Sequence, residues 1–227
     1  MTVLSRDMNA KTFKNPGRPS RLGAITSMGI LNFLLEQTAV YSLWQAPFAA
    51  EKLAPVLNHN DLREVRRVLD VGCGPGTNTK YFAGQDYLGV DINPGYIESA
   101  RRKHDRAFLA ADVTTYEDDH AGKFDFILVN SFLHHINDPD AHRVLSRLRN
   151  WLAPDGHLHI LELIYPNDHS VARFLANWDR GKYLRPLDKW REMFEQHMNI
   201  VEFEPYPIKR MGTTLWNMVY CKGRIDS

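Results

Sequence analysis

An apolar run that ends in alternate glycines constrains this chain more than any other stretch: Val68-Leu69-Asp70-Val71-Gly72-Cys73-Gly74-Pro75-Gly76. The run is too short for a helix and reads as a strand buried on both faces. Its glycines let the chain adopt positive φ and let the backbone approach whatever lies at the strand's end. A helical stretch around 77–83 follows. The same texture recurs downstream. Tyr87-Leu88-Gly89-Val90, Ala107-Phe108-Leu109-Ala110, Phe124 to Val129 and His157 to Leu161 are apolar runs, with helical candidates around 94–104 and 140–152 between them. Strands of this kind alternating with helices predict a parallel sheet covered on both faces, an α/β doubly wound fold.

The flanks are less regular. Residues 1–20 read as a polar, basic arm with Pro16, Gly17 and Pro19 as breakers. From Thr26 to about Leu57 the pattern is helical, with Ile30, Leu34, Tyr41, Trp44 and Phe48 on one stripe. Pro47 and Pro55 predict that this segment is broken into two helices. After Pro166 the expectation is a helix over 168–180, a loop from Gly181 to Pro186, a helix over 187–197, and strands over Asn199–Glu204 and Thr214–Cys221. A single domain is expected overall, with an N-terminal arm and helical lid over 1–57 and the ligand-binding domain over 58–227.

Bulk properties remove several classes. A formal net charge of +1 over 227 residues lacks the basic excess of a general nucleic-acid binder. The two cysteines, Cys73 and Cys221, form no CxxC pair, so neither a disulfide framework nor a metal site is expected. The N-terminus has no apolar core of a signal peptide, and Ile30–Ala50 is interrupted by Glu36, Gln37 and Gln45. These features predict a soluble cytoplasmic protein without membrane insertion.

The glycine spacing narrows the ligand. A dinucleotide fingerprint requires a third glycine at position 77, which is Thr77, and no G-K-[ST] follows to make a phosphate loop. Asp70, just before the first glycine, would repel a pyrophosphate and welcome an ammonium group. Asp91 ends the second strand and is placed to accept hydrogen bonds from ribose hydroxyls. Asp112 ends the third and is placed to accept from the exocyclic amine of an adenine, with Ile92 and Val113 as walls for the ring.

Taken together, the D-x-G-x-G-x-G loop, the acidic second strand, the Ala111-Asp112-Val113 step, Phe124-Asp125-Phe126-Ile127, and Leu152-Ala153-Pro154-Asp155-Gly156 before the fifth strand resemble a class I S-adenosylmethionine-dependent methyltransferase of the small-molecule type. The resemblance runs from about Arg67 to Ile164. It implies a seven-stranded, mostly parallel sheet with helices on both faces, an inserted antiparallel last strand, and an N-terminal helical lid. It implies S-adenosyl-L-methionine as cofactor and S-adenosyl-L-homocysteine as product. Asp70, Gly72, Cys73, Gly74 and Asn78 would serve the methionine end with Asn130 and Ser131, Asp91 the ribose, and Asp112 the adenine amine.

The acceptor side follows from the same placement. His134 and His135, after the fourth strand, are the candidate general bases; alternatively, His135 packs beside Ile136 and orients the loop. Tyr41 is a candidate for the cofactor's carboxylate, with Arg21 behind it, and Trp44 is either core or acceptor wall. Arg180, Lys182, Tyr183 and Arg185 cluster around Gly181, which suits a carboxylate- or phosphate-bearing acceptor. Glu162 and Trp178 are lesser candidates for the same pocket. The reading is O-methylation of a small molecule. The alternatives are N- or C-methylation, a tRNA or protein substrate, and a protein that binds the cofactor without transfer.

Overall fold

The computed structural model describes residues 48–116, 120, 122–168, 170–178 and 181–225. Tyr41, Trp44, Arg21, Pro47, Arg180 and most of the expected lid lie outside the described residues, as does the side chain of Trp178.

Seven strands form one sheet in the order β3-β2-β1-β4-β5-β7-β6. They are β1 (Arg67–Val71), β2 (Asp86–Asp91), β3 (Ala107–Ala110), β4 (Phe124–Asn130), β5 (Leu152–Leu163), β6 (Asn199–Arg210) and β7 (Thr213–Arg224). The first five pair in parallel. β7 inserts antiparallel between β5 and β6. Strand order reverses between β1 and β4, so their carboxyl ends open the crevice where such sheets take ligands.

Alternation along the strands builds two cores. Leu69, Val71, Ile127, Val129 and Ile160 face one side, against Val144, Leu145 and Leu148 of α3 (Asp138–Trp151) and Trp190 and Phe194 of α5 (Leu187–Glu195). Val68, Tyr87, Phe126 and Leu128 face the other, against Leu53 and Val56 of α1 (Ala49–His59) and Ile97 and Ala100 of α2 (Pro94–Lys103). A fifth helix, α4 (Val171–Trp178), follows β5. The asparagine caps place α2 and α3: Asn93 accepts from the amides of Gly95 and Tyr96, and Asn137 from that of Asp140.

Three expectations need correction. Pro55 lies inside α1 and does not break it. An interior proline costs about 3 kcal/mol, but the neighbouring Leu53 and Val56 are fully buried, and each such side chain returns about 1.5–3 kcal/mol. β6 runs on through Pro205 and Pro207 to Arg210, because it is the sheet's edge, where missing amide hydrogens are tolerated. The helix expected over 77–83 is a single 3-10 turn, Thr79–Phe82.

Candidate active site

The glycine turn is fastened to the end of β2. The amides of Gly72 and Cys73 donate to the Val90 carbonyl at 2.8 and 3.1 Å. The amide of Gly74 donates to Asp91 Oδ2 at 2.9 Å, while Asp91 Oδ1 accepts from the amide of Asn93 at 2.8 Å. Gly74 has φ +54°, and a Cβ built there meets nothing within 4 Å. Glycine is therefore required for its conformation, and the side a side chain would fill is left open as a cradle. Gly72 differs: its φ is +71° and a Cβ would press on the Phe132 side chain at 3.1 Å. Burial pushes the Asp91 carboxyl up, against the two amides that hold it down.

Beneath the turn, Asp70 is fully buried. Its Oδ2 accepts from Tyr87 Oη at 2.8 Å and from Asn78 Nδ2 at 3.4 Å, and its Oδ1 has no hydrogen-bond partner. Burial pushes this carboxyl up to about 7. An orphaned buried acceptor beside an open cradle fits a ligand that brings a cationic donor. Asn78 is nearly buried and engaged with Asp70. Cys73 is buried as well, its thiol pushed up by burial.

At the end of β3, Asp112 Oδ1 accepts from the Thr114 amide and hydroxyl at 2.9 and 2.7 Å. The two expected ring walls divide. Ile92 is 38% exposed, whereas Val113 is 5% exposed within the larger core. Val113 thus offers less open surface than Ile92.

The turn after β4 is held from three directions. Ser131 has φ 55°, a left-handed conformation that costs a non-glycine residue about 1–2 kcal/mol. Its hydroxyl donates to Asn130 Oδ1 at 3.1 Å and accepts from Lys52 Nζ of α1 at 3.2 Å. Glu162, at the end of β5, is fully buried and accepts from the amides of Phe132 and Leu133 at 2.9 and 2.6 Å; its Oε2 meets His134 Nδ1 at 2.6 Å. Burial alone would push Glu162 up; the charge and hydrogen bond of His134, with the two amides, hold it below the usual range. Glu162 therefore faces the turn and not an acceptor pocket, which corrects that expectation.

From the third direction comes Arg185, 6% exposed. Its guanidinium donates to Asp138 Oδ1 at 2.8 and 2.6 Å, and to the carbonyls of Leu133, Ile136 and Tyr183 at 3.0–3.1 Å. It also lies over the Trp190 ring at 4.7 Å. All its donor directions serve the fold, so Arg185 is corrected from an acceptor ligand to a clamp. The two candidate bases differ in exposure. His134 is the buried one, at 1% exposure, and His135 is exposed rather than packed. Their rings stand 4.2 Å apart.

Beyond this turn, Tyr165, Ala176, Asn177, Gly181, Lys182 and Leu184 line a cavity of ≈ 270 Å³. Tyr165 Oη donates to Asn177 Oδ1 at 3.1 Å. Tyr183 is 41% exposed, and its amide donates to the His134 carbonyl at 3.0 Å. Lys52 and Tyr87 escaped the sequence reading. The signal for Lys52 is a lysine set beside the buried Leu53 on an inward helix face; Tyr87 pairs with Val68 across β1 and β2, which puts its side chain on the same sheet face as Asp70, two residues along.

Comparison with known proteins settles the type of domain. Residues 68–156 match the family described as Methyltransferase domain, and those residues run from β1 through the start of β5. Residues 68–156 are a methyltransferase domain. The methyltransferase domain is 38% identical over 117 residues to a trans-aconitate 2-methyltransferase of Methylobacterium radiotolerans, covering 49% of this chain and 42% of that protein. The chain thus spans less than half the length of that curated relative. Among solved structures, N-methyltransferase NodS of Bradyrhizobium japonicum, in complex with S-adenosyl-L-homocysteine, superposes with TM-score 0.70 at 17% identity, covering 87% of this chain and 98% of that one. The 1,6-didemethyltoxoflavin-N1-methyltransferase of Burkholderia thailandensis gives 0.68 at 21% identity, covering 93% and 94%. At these identities the two structures establish the methyltransferase fold. No helix among the described residues is long and apolar enough to cross a membrane.

Proposed function

We propose that this methyltransferase domain binds S-adenosylmethionine at the carboxyl ends of β1 and β2 and directs its methyl group to an oxygen of a small carboxylic acid. The observation that carries the reading is the Gly74 cradle: positive φ, an open Cβ direction, and an amide fixed 2.9 Å from Asp91. Asp91 would hold the ribose hydroxyls, Asp112 the adenine amine, Ile92 one face of the ring, and Asp70 the ammonium end, with Asn130 and Ser131 beside it. When bound, S-adenosylmethionine supplies an electrophilic methyl group. The chain's own task is then alignment and exclusion of water.

The acceptor class follows from what the turn after β4 offers. His134 is buried against Glu162 and is badly placed to meet an acceptor directly. A carboxylate is already ionised near neutrality and needs no base, whereas a hydroxyl does. Lys182, with Asn177 and Tyr165 in the neighbouring cavity, suits a second carboxylate of the same molecule. The relative named for trans-aconitate is consistent with such an acceptor. For a hydroxyl acceptor, His135 is the exposed imidazole at this turn.

Calorimetry with S-adenosylhomocysteine tests the cofactor reading; absence of binding by the wild type would sink it. A panel of di- and tricarboxylic acids, including trans-aconitate, tests the acceptor, scored by S-adenosylhomocysteine formed and by base-labile methyl ester. Turnover confined to amines or phenols would overturn the carboxylate assignment.

A further inference from the structure

A single buried side chain touches both halves of this site. Glu162 accepts through Oε1 from the amides of Phe132 and Leu133 and meets His134 Nδ1 through Oε2. On the first path, the Phe132 side chain lies against Gly72, where a Cβ would sit 3.1 Å from Phe132 Cβ. The position of Phe132 therefore limits where the glycine turn can stand. On the second path, the His134 ring lies directly under Gly181, where a Cβ would overlap the ring. Gly181 in turn lines the cavity that holds Lys182. One path leads to the cofactor turn and the other to the acceptor cavity.

We propose that Glu162 is a positioning residue whose two oxygens do separate work: Oε1 sets the turn that seats Phe132 on the glycine loop, and Oε2 keeps a hydrogen on Nδ1 of His134 beneath the acceptor loop. This rests on the cofactor reading above. It differs from a plain core role because the two oxygens are separable. In Glu162→Gln the two backbone amides require the remaining oxygen, since only an acceptor satisfies them. The new NH₂ group then faces His134 and can only donate. His134 must answer with a bare Nδ1, which leaves its hydrogen on Nε2. The cofactor path survives this substitution and the tautomer does not.

Calorimetry with S-adenosylhomocysteine and imidazole ¹⁵N NMR of the full chain test both paths. Glu162→Gln is expected to bind within about threefold of wild type, while Glu162→Ala, which orphans two amides, weakens binding by about tenfold or more. The spectra are expected to show Nδ1–H for His134 in the wild type and Nε2–H alone in Glu162→Gln. Wild-type binding by Glu162→Ala overturns the first path; an Nδ1–H signal retained in Glu162→Gln, or absent from the wild type, overturns the second. Should Glu162→Ala fail to fold, Phe132→Ala takes its place under the same criterion. Failure of the wild type to bind S-adenosylhomocysteine sinks the cofactor reading instead, and the ligand-free spectra still decide the assignment to His134.

Discussion

The cofactor end and the acceptor end of this site are built by different kinds of contact. At the cofactor end the key hydrogen bonds close over short stretches of chain: Asn78 to Asp70 across 8 residues and Gly74 to Asp91 across 17. At the turn after β4, which leads from the cofactor's methionine end to the acceptor end, they close over long ones. Glu162 reaches Leu133 across 29 residues, Arg185 reaches Leu133 across 52, and Lys52 reaches Ser131 across 79. The first end is a local turn presenting backbone to a ligand. The second is a turn held in a strained conformation by side chains from α1, β5 and the segment before α5. A local turn has its geometry written beside it, whereas a clamped turn depends on partners that only the whole fold brings near.

The sharpest way to break this contrast is at the cofactor end. Asp91→Ala removes the carboxylate that holds the amides of Gly74 and Asn93. Each orphaned amide costs about 1–3 kcal/mol, so affinity for S-adenosylhomocysteine is expected to fall about a hundredfold or more. Calorimetry giving a change under threefold would show that the cradle does not depend on Asp91. At the acceptor end the largest effect is on stability. Arg185→Ala strips hydrogen bonds from three carbonyls and the contact with Trp190. The loss is expected to be about 2–4 kcal/mol, or roughly 5–15 °C in melting temperature for a chain of this length. An unchanged melting temperature with weakened acceptor binding would return Arg185 to the acceptor pocket.

The same contrast explains what was legible in the sequence. The parallel strands, the glycine turn and the carboxylates at 70, 91 and 112 are legible because apolar runs and glycine spacing are local signals. Arg185 was misread because three cations within six residues look alike in sequence, and only burial distinguishes a clamp from a ligand. Which of His134 and His135 is exposed was not legible because apolar neighbours do not reveal which way a one-turn 3-10 segment, Leu133–His135, faces. The run of β6 beyond Glu204, through Pro205 and Pro207, was not legible because nothing local marks that strand as an edge.

A smaller and more discriminating effect lies in the pH dependence of Asp70. Its carboxyl is pushed up to about 7 in the fold from an ordinary value of 3.8. Between those values the folded state binds more protons than the unfolded one, so this group's contribution to stability falls as pH rises through that window. Binding runs the opposite way, because a ligand ammonium favours the ionised carboxylate. Affinity for S-adenosylhomocysteine is expected to rise about tenfold from pH 6 to 8, and Asp70→Asn is expected to flatten that rise. An equal slope in both proteins would separate Asp70 from the ammonium.

The smallest expected effect tests the acceptor end alone. Lys182 is exposed and lines the cavity beside Gly181. An exposed ion pair contributes about 0.2–1 kcal/mol, so Lys182→Met is expected to raise KM for a di- or tricarboxylate acceptor by no more than about fivefold. Melting temperature and S-adenosylhomocysteine affinity should stay at wild-type values, because Lys182 belongs to neither the clamp nor the cradle. Arg185→Ala should show the reverse pattern, with lost stability as its main effect. If Lys182→Met lowers stability, or raises KM equally for a monocarboxylate and a dicarboxylate, the cavity does not read a second carboxylate. The acceptor end would then be a clamped turn with no anion subsite attached to it.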